Sequence, residues 1–152
     1  MPQIPVTTRI ATDRPLVKVD NNAVANPPAG QGFSIVVPVG YRFQLLSMYL
    51  RFITDATVAD RFIILTVSSP SGVILRLTHI TAIVASETRH LTVATGVSAV
   101  LWSATSLTSV LPFPPGIVLE EGSSIDVTVT GIQATDQFSL INSQLLSQFV
   151  AE

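Results

Sequence analysis

YRFQLLSMYLRFIT, residues 41–54, is long for a single strand and carries apolar side chains at both odd and even positions. Because side chains alternate along a strand, each face receives every second residue. One face would contain Leu46, Met48, Leu50 and Phe52. The other would contain Phe43, Leu45, Tyr49 and Ile53, with Ser47 and Arg51 among them. A two-layer sandwich gives each sheet one inner face, so we expect the N-terminal segment or another molecule to cover the second apolar face.

The composition of the 152-residue chain is typical of one soluble β-domain with a weakly charged surface. Apolar residues make up 47% and charged residues 12%, about half the charged share of an average domain. The net charge of −2 provides no basic footprint, so nucleic-acid binding is not expected. The chain has no cysteine, which excludes disulfides and thiolate metal sites. Neither a signal-peptide pattern nor a membrane-spanning apolar run is present, so we expect a soluble chain that does not bind membranes.

Two segments of different character divide the chain. Residues 1–32 contain five of the ten prolines and only one strand-like stretch, PLVKVD at 15–20, so we predict an extended N-terminal arm. Over residues 33–152, short apolar segments alternate with turn sequences such as SSPSG and EEGS. This spacing predicts an all-β domain, an antiparallel β-sandwich of the jelly-roll type.

The segment SIDVTVT, residues 124–130, has the clearest alternation of the chain. It predicts a half-buried strand with Ile125, Val127 and Val129 facing the core. The last segment, INSQLLSQFV at 141–150, is compatible either with a strand or with a short helix.

The residues that most often carry chemistry are few and scattered. His79 and His90 lie in strand-like segments without an acidic residue at metal-ligand spacing, and no serine has a nucleophile-elbow context. Asp55 and Asp60 flank a loop that could hold Ca²⁺, although the calcium-loop pattern is absent. Three aromatic residues could form a sugar-stacking platform: Tyr41, Tyr49 and Trp102. We therefore expect a protein that is not an enzyme and uses no metal or cofactor.

Three motifs, in order along residues 38–139, resemble small structural proteins of tailed bacteriophages of the head decoration or cement type. They are PVGYRFQLL (38–46), TDATVADRFIIL (54–65) and LPFPPGIVLEEGSSIDVTVTGIQATDQFS (111–139). In that family a Pro-x-Gly turn starts an aromatic-rich strand, and a connection with Ala-x-Val-x-x-Arg follows. A Pro-rich corner then precedes Leu-x-x-Gly, a strand and an Asp before the last strand. Asp60 departs from this pattern, because the family carries a small polar residue, often Asn, before the arginine.

The resemblance implies a jelly-roll virion component, often trimeric, that attaches to a capsid or tail surface. We accordingly expect a capsid decoration protein that assembles in the host cytoplasm and acts in the virion. Its expected partners are copies of itself, as a trimer before a dimer, and the major capsid protein or another virion protein. The arm, the outer face of 41–54 and the proline-rich corner supply the expected interface residues: Leu16, Val17, Val19, Phe43, Leu45, Tyr49, Ile53, Pro112, Phe113 and Pro114.

Two other functions stay open at the level of the sequence. A jelly roll associated with a tail or head fibre, acting as a carbohydrate- or receptor-binding module, would need aromatic side chains on one exposed rim. A cupin-like enzyme would need clustered metal ligands, and two histidines in different strands argue against it.

Overall fold

The computed structural model describes residues 17–103 and 107–150, with the side chains of all of these except 101–103. The described residues contain ten β-strands and no helix. The strands are β1 (Val17–Val24), β2 (Phe33–Val36), β3 (Tyr41–Ile53), β4 (Phe62–Ser69), β5 (Gly72–Thr78), β6 (Thr88–Thr95), β7 (Val100–Ser103), β8 (Thr108–Phe113), β9 (Ser124–Thr130) and β10 (Gln137–Phe149). The final segment of the sequence is therefore a strand and not a helix.

The strands form two sheets that pack together as a β-sandwich, which confirms the all-β prediction at this level. The larger sheet has six strands in the order β1-β10-β3-β6-β8-β7, and the smaller has four in the order β2-β9-β4-β5. The long strand β3 lies inside the larger sheet, between β10 and β6. Its position explains its apolar character, because it crosses the whole core.

Part of the predicted arm, residues 17–24, belongs to the larger sheet. Val17–Val24 pairs antiparallel with β10 of the same chain, from Val17 opposite Gln148 to Val24 opposite Ile141. Residues 17–20 of the strand-like PLVKVD thus belong to an edge strand of the chain's own larger sheet. Residues 1–16 lie outside the described part of the chain.

A bulge in β3 changes which of its side chains face the core. Ser47 is opposite Gln144, but Leu45, two positions earlier, is opposite the very next residue, Leu145, so β3 contains one extra residue there. Leu45 consequently faces the core, with 0% of its surface exposed, on the same side as Met48. The expectation that Leu45 lies on the outer face was wrong, because simple alternation does not survive a bulge.

The bulge also alters the neighbours of Leu45 in β3. Phe43 packs against the core, and Leu46, expected in the core, is half-buried at the bulge itself. Leu50 and Phe52 are fully buried, as predicted. On the outer face, alternation from the bulge outward leaves a mostly polar and half-buried row: Arg42, Gln44, Ser47, Tyr49, Arg51 and Ile53. The strand is therefore not apolar on both faces, and its need for an external cover is smaller than the sequence indicated.

The core lies between the sheets and consists of aliphatic side chains around a small aromatic group. Phe138 packs against Phe52 and Phe33, with ring centroids 4.7 and 5.4 Å apart. Strand β9 contributes the row predicted from its alternation, since Ile125 and Val127 are buried at 1% and 0% exposure. Burial of such side chains stabilises the fold by roughly 1.5–3 kcal/mol each.

One strand pair departs from the antiparallel prediction. Strands β6 and β8 run parallel, from His90 opposite Thr108 to Thr95 opposite Phe113. After β6 the chain forms β7, which is the second strand away from β6 in the sheet. The chain then returns and forms β8 between β6 and β7. Strand β8 is thus antiparallel to β7 and parallel to β6.

Candidate interaction surfaces

The ten residues expected at an interface do not form one surface. Val17 and Val19 lie on edge strand β1 and are 52% and 55% exposed. Tyr49 and Ile53 are half-buried on the outer face of the larger sheet, whereas Phe43 and Leu45 lie on its core side. At the proline-rich corner Pro114 is exposed, Pro112 is half-buried and Phe113 belongs to the core, and Leu16 lies outside the described residues.

A groove of about 370 Å³ crosses the outer face of the larger sheet. The strand registers place two rows of side chains across β1, β10, β3 and β6. One row is Ala23, Asn142, Tyr49 and Thr92, and the next is Asn21, Gln144, Ser47 and Ala94. We call this depression the amide groove, after four of its lining residues: Asn21, Asn22, Asn142 and Gln144. None of the described residues that line it is charged.

Tyr49 is the aromatic residue among those that line the amide groove, and His90 holds its ring in position. The Tyr49 hydroxyl forms a 2.6 Å hydrogen bond with Nδ1 of His90, and the two rings stack with centroids 6.0 Å apart. Beside this pair, Nε of Arg51 donates to Oγ of Ser139 over 2.8 Å. These contacts fix the side chains at one end of the groove.

The amides of the groove retain unused hydrogen-bonding groups. Ser47 Oγ donates to Oε1 of Gln144 over 3.2 Å, which occupies that amide through its oxygen. Within the described residues, no hydrogen bond uses Nε2 of Gln144 or the side chain of Asn21. Both residues are exposed, so these groups face solvent and are accessible to a ligand.

A second polar group, the Arg61 cluster, is buried at one end of the sandwich and joins two loops. The Arg61 guanidinium is fully buried and binds Asp136 at 2.6 Å and Asp55 at 2.7 Å. It also donates to the carbonyls of Thr57 and Ala59, each over 3.1 Å. The cluster thus ties the loop before β4 to the loop before β10, and its charges are paired as burial requires.

The carboxylates of the Arg61 cluster are saturated with donors. Asp136 accepts the backbone N–H groups of Asp55 and Gln133 at 2.9 and 2.7 Å. Thr135 Oγ1 donates to Asp55 over 2.6 Å, and this hydrogen bond, followed by those from Thr57, holds the pKa of Asp55 below its usual value. Gly131 approaches the backbone of Asp60 closely beside this cluster. Its φ is 70°, and a Cβ at this position would lie 2.5 Å from the Asp60 carbonyl oxygen.

The geometry of the Arg61 cluster bears on the calcium hypothesis for Asp55 and Asp60. The Asp55 carboxylate already binds the Arg61 guanidinium, and Asp60 is exposed. Over residues 17–103 and 107–150, no three His, Asp or Glu residues are grouped so that they could hold a metal ion. The Asp55 carboxylate thus serves as a counter-charge for the buried Arg61.

The first and third sequence motifs meet at a separate junction. The Gly40 N–H donates to the Glu121 carboxylate over 3.0 Å, and Arg42 Nε donates to Glu120 over 2.5 Å. The backbones of Phe43 and Leu119 bond to each other in both directions. Since Arg61 and Asp136 belong to the second and third motifs, all three motifs are joined in space.

The two histidines lie in different environments. His79 is buried, and its Nδ1–H donates to the Thr81 carbonyl over 2.9 Å. Burial lowers the pKa of His79 below its usual value of 6.5, which favours the neutral imidazole in the folded chain. His90 is half-buried on the outer face, beside Tyr49.

Two edge strands expose apolar side chains. Edge strand β5 exposes Val73 and Ile74 at 67% and 48%, and edge strand β1 exposes Val17 and Val19. Unpaired backbone groups beside exposed apolar side chains are a template for pairing with another chain. These two edges are therefore candidates for association with another chain.

Sequence reasoning missed both the amide groove and the Arg61 cluster. On β10 the amide residues Asn142 and Gln144 alternate with Ile141, Ser143 and Leu145. This alternation could have indicated a polar face on the strand. The pairing of Arg61 with Asp136 has no local signal, because 75 positions separate the two residues.

Comparison of the chain with protein-family models and with curated protein sequences gives no match. None of the described residues belongs to a helix long and apolar enough to cross a membrane. The functional assignment therefore relies on the fold and on the surfaces described above.

Proposed function

We propose that the chain is a non-enzymatic structural protein of a tailed-phage virion, a decoration protein that binds the head surface as an oligomer. Its work is done by contact surfaces, and it assembles in the host cytoplasm with the major capsid protein or another virion protein. The observation that carries the proposal is the nested pairing of the strands, which supports a jelly roll, the architecture that the motif resemblance implies.

Nested pairing is what a jelly roll requires, because it forms when a long four-pair hairpin wraps around a core. With β7 and β8 set aside as an insertion, the first strand pairs with the last, β1 with β10. The next pairs inward are β2 with β9, β3 with β6 and β4 with β5. Two four-stranded sets result, β1-β10-β3-β6 and β2-β9-β4-β5, as expected of eight strands in two Greek keys.

The contacts between the three motifs support the resemblance. Motif residues that are distant in sequence are direct partners: Gly40 with Glu121, Arg42 with Glu120, and Arg61 with Asp136. A chance set of turns and strands would have no reason to converge at two junctions. The motifs therefore act as one structural unit across most of the domain.

The surface supports a function based on contact. Apolar side chains are exposed on edge strands β1 and β5, and the charged share of the chain is only 12%. The sequence ahead of β1 contains Ile4, Val6 and Ile10 together with Pro2 and Pro5, a composition suited to an extended arm. We propose that this arm docks on the capsid or on an adjacent subunit by adding to a sheet edge.

Oligomeric state and capsid binding test the proposal. Light scattering at micromolar concentration should give three times the 16.2 kDa chain mass, with twice that mass as the second expectation. The purified chain should also sediment with empty phage capsids, and the double variant Val17→Asp/Val19→Asp should do so less. A stable monomer that leaves every tested capsid uncoated would refute the proposal.

A further inference from the structure

We propose that the amide groove is a binding site for a neutral, polyhydroxylated ligand, a short stretch of a saccharide chain. The inference is independent of the virion assignment, because it rests on the lining of the groove alone. It concerns the outer face of the larger sheet, where Asn21, Tyr49, Asn142 and Gln144 converge.

The lack of charge in the groove selects the class of ligand. A phosphate, sulfate or carboxylate ligand would call for Arg or Lys, and none is among the described lining residues. Arg51, the nearest cation along β3, is not among the lining residues, and its Nε donates to Oγ of Ser139. An uncharged groove leaves a neutral ligand as the best electrostatic match.

The amides supply the chemistry that hydroxyl groups need. Each Asn or Gln side chain offers an acceptor and a two-hydrogen donor side by side, so one residue can bind two adjacent hydroxyls. In the described chain, Nε2 of Gln144 and the whole side-chain amide of Asn21 are without a protein partner. Gln144 on β10 and Asn21 on β1 are directly opposite each other in the pairing of these two strands.

Tyr49 supplies an apolar surface in a fixed position. Its hydroxyl is bonded to His90, so the ring loses little conformational freedom when a ligand stacks on it. Sugar rings present C–H faces that pack on aromatic rings while their hydroxyls reach the surrounding polar groups. At about 370 Å³ the groove lies near the lower end of ligand-site volumes, about 300–1,000 Å³, which indicates a short segment.

The first experiment is a binding screen of the full chain by NMR. Neutral oligosaccharides (maltohexaose, cellohexaose, chitohexaose, mannohexaose and galactohexaose) are compared with the anionic heparin hexasaccharide. We expect at least one neutral probe to shift the side-chain amide signals of Asn21, Asn142 and Gln144, with a Kd of about 1 mM or tighter. The proposal is overturned if no neutral probe binds at this level, if the shifts map elsewhere, or if heparin binds more tightly.

Matched variants then locate the site. Gln144→Ala should weaken binding about 3- to 10-fold, the loss expected for one or two hydrogen bonds. Tyr49→Leu should weaken it by a similar factor through loss of stacking. Thr128→Ala, on the exposed face of β9 in the other sheet, should bind like the unmodified chain. Equal affinities for all four proteins would overturn the assignment.

The groove could instead be covered by another copy of the chain, and the same variants decide this. If Gln144→Glu lowers the mass measured by light scattering, the groove is a subunit contact and the saccharide proposal fails. We expect Gln144→Glu to leave the mass unchanged and to weaken only saccharide binding, because it replaces a donor by a charged acceptor.

Discussion

Two aspartates adjoin Arg61: Asp60 precedes it in the chain, and Asp136 binds its side chain. Of the two, only Asp136 stabilises the buried arginine. Asp136 is fully buried and binds the Arg61 guanidinium, whereas Asp60 is exposed. Asp136→Ala would leave a buried guanidinium without its closest counter-charge, so we expect the free energy of unfolding to fall by about 3–5 kcal/mol. Asp60→Ala, the matched control, should change it by less than about 0.5 kcal/mol.

Urea unfolding of both variants measures these values. Adding Arg61→Met to Asp136→Ala should recover part of the loss, because the unpaired buried charge is then removed. Comparable stability of the Asp60 and Asp136 variants would show that the Arg61 cluster does not stabilise the fold.

His79 makes the stability of the fold depend on pH. Since burial lowers the pKa of His79, the unfolded chain binds a proton at a higher pH than the folded chain does. The free energy of unfolding should therefore decrease as the pH falls below about 6.5, the unfolded value, and continue to decrease towards the folded pKa. His79→Asn keeps a donor for the Thr81 carbonyl and removes the titrating group.

Chemical denaturation at pH 7.5 and pH 5.5 tests this dependence. The difference in unfolding free energy between the two pH values should be smaller for His79→Asn than for the unmodified chain. An identical difference in both proteins would mean that another group dominates the titration in this window.

Among the elements, β9 and β3 show where alternation succeeds and where it fails. In β9 the pattern predicted the buried row correctly, because the strand pairs regularly with both of its neighbours. In β3 the pattern holds from Met48 to Phe52 and fails before it, at Leu45 and Leu46. The bulge that shifts the register depends on β10, about a hundred positions away in sequence, so no local pattern reports it.

The bulge makes a prediction that contradicts simple alternation. Leu45→Ala should destabilise the fold by about 2–5 kcal/mol, because Leu45 is completely buried in the core. Leu46→Ala should cost less, about 1 kcal/mol, because Leu46 is only half-buried. Thermal unfolding of the two variants ranks them, and the opposite ranking would place Leu46 in the core and remove the bulge.

At the level of the whole molecule, two N-terminal truncations of similar length differ in whether they remove strand β1. Deleting residues 1–24 removes β1 and exposes one edge of the long strand β10. We expect this deletion to lower the unfolding midpoint by about 5 °C or more and to promote aggregation through the new edge. Deleting residues 1–16 retains all described strands and should change the midpoint by less than about 2 °C.

Differential scanning calorimetry of the two truncated proteins measures the difference. If both deletions have the same midpoint, β1 contributes nothing to the stability of the sandwich, and residues 17–24 behave as part of the extended arm that the sequence predicts.

The fold class was accessible from the sequence, while the surfaces were not. Turn residues and short apolar segments predicted an all-β sandwich, because these signals are local. The amide groove is built from β1, β10, β3 and β6, and the Arg61 cluster from two distant loops. Such sites exist only once the register is set, and register is a property of pairs of strands.

The position of β10 also determines when the larger sheet can form during synthesis. Residues 137–149 are made after the other nine described strands, yet they lie between β1 and β3 inside the sheet. Until the ribosome has released them, β1 has no described partner and β3 lacks one neighbour. The larger sheet therefore closes only after translation of β10, and a nascent chain stalled before residue 137 would expose the unpaired strand β1 and one open edge of β3 to the cell's chaperones and proteases.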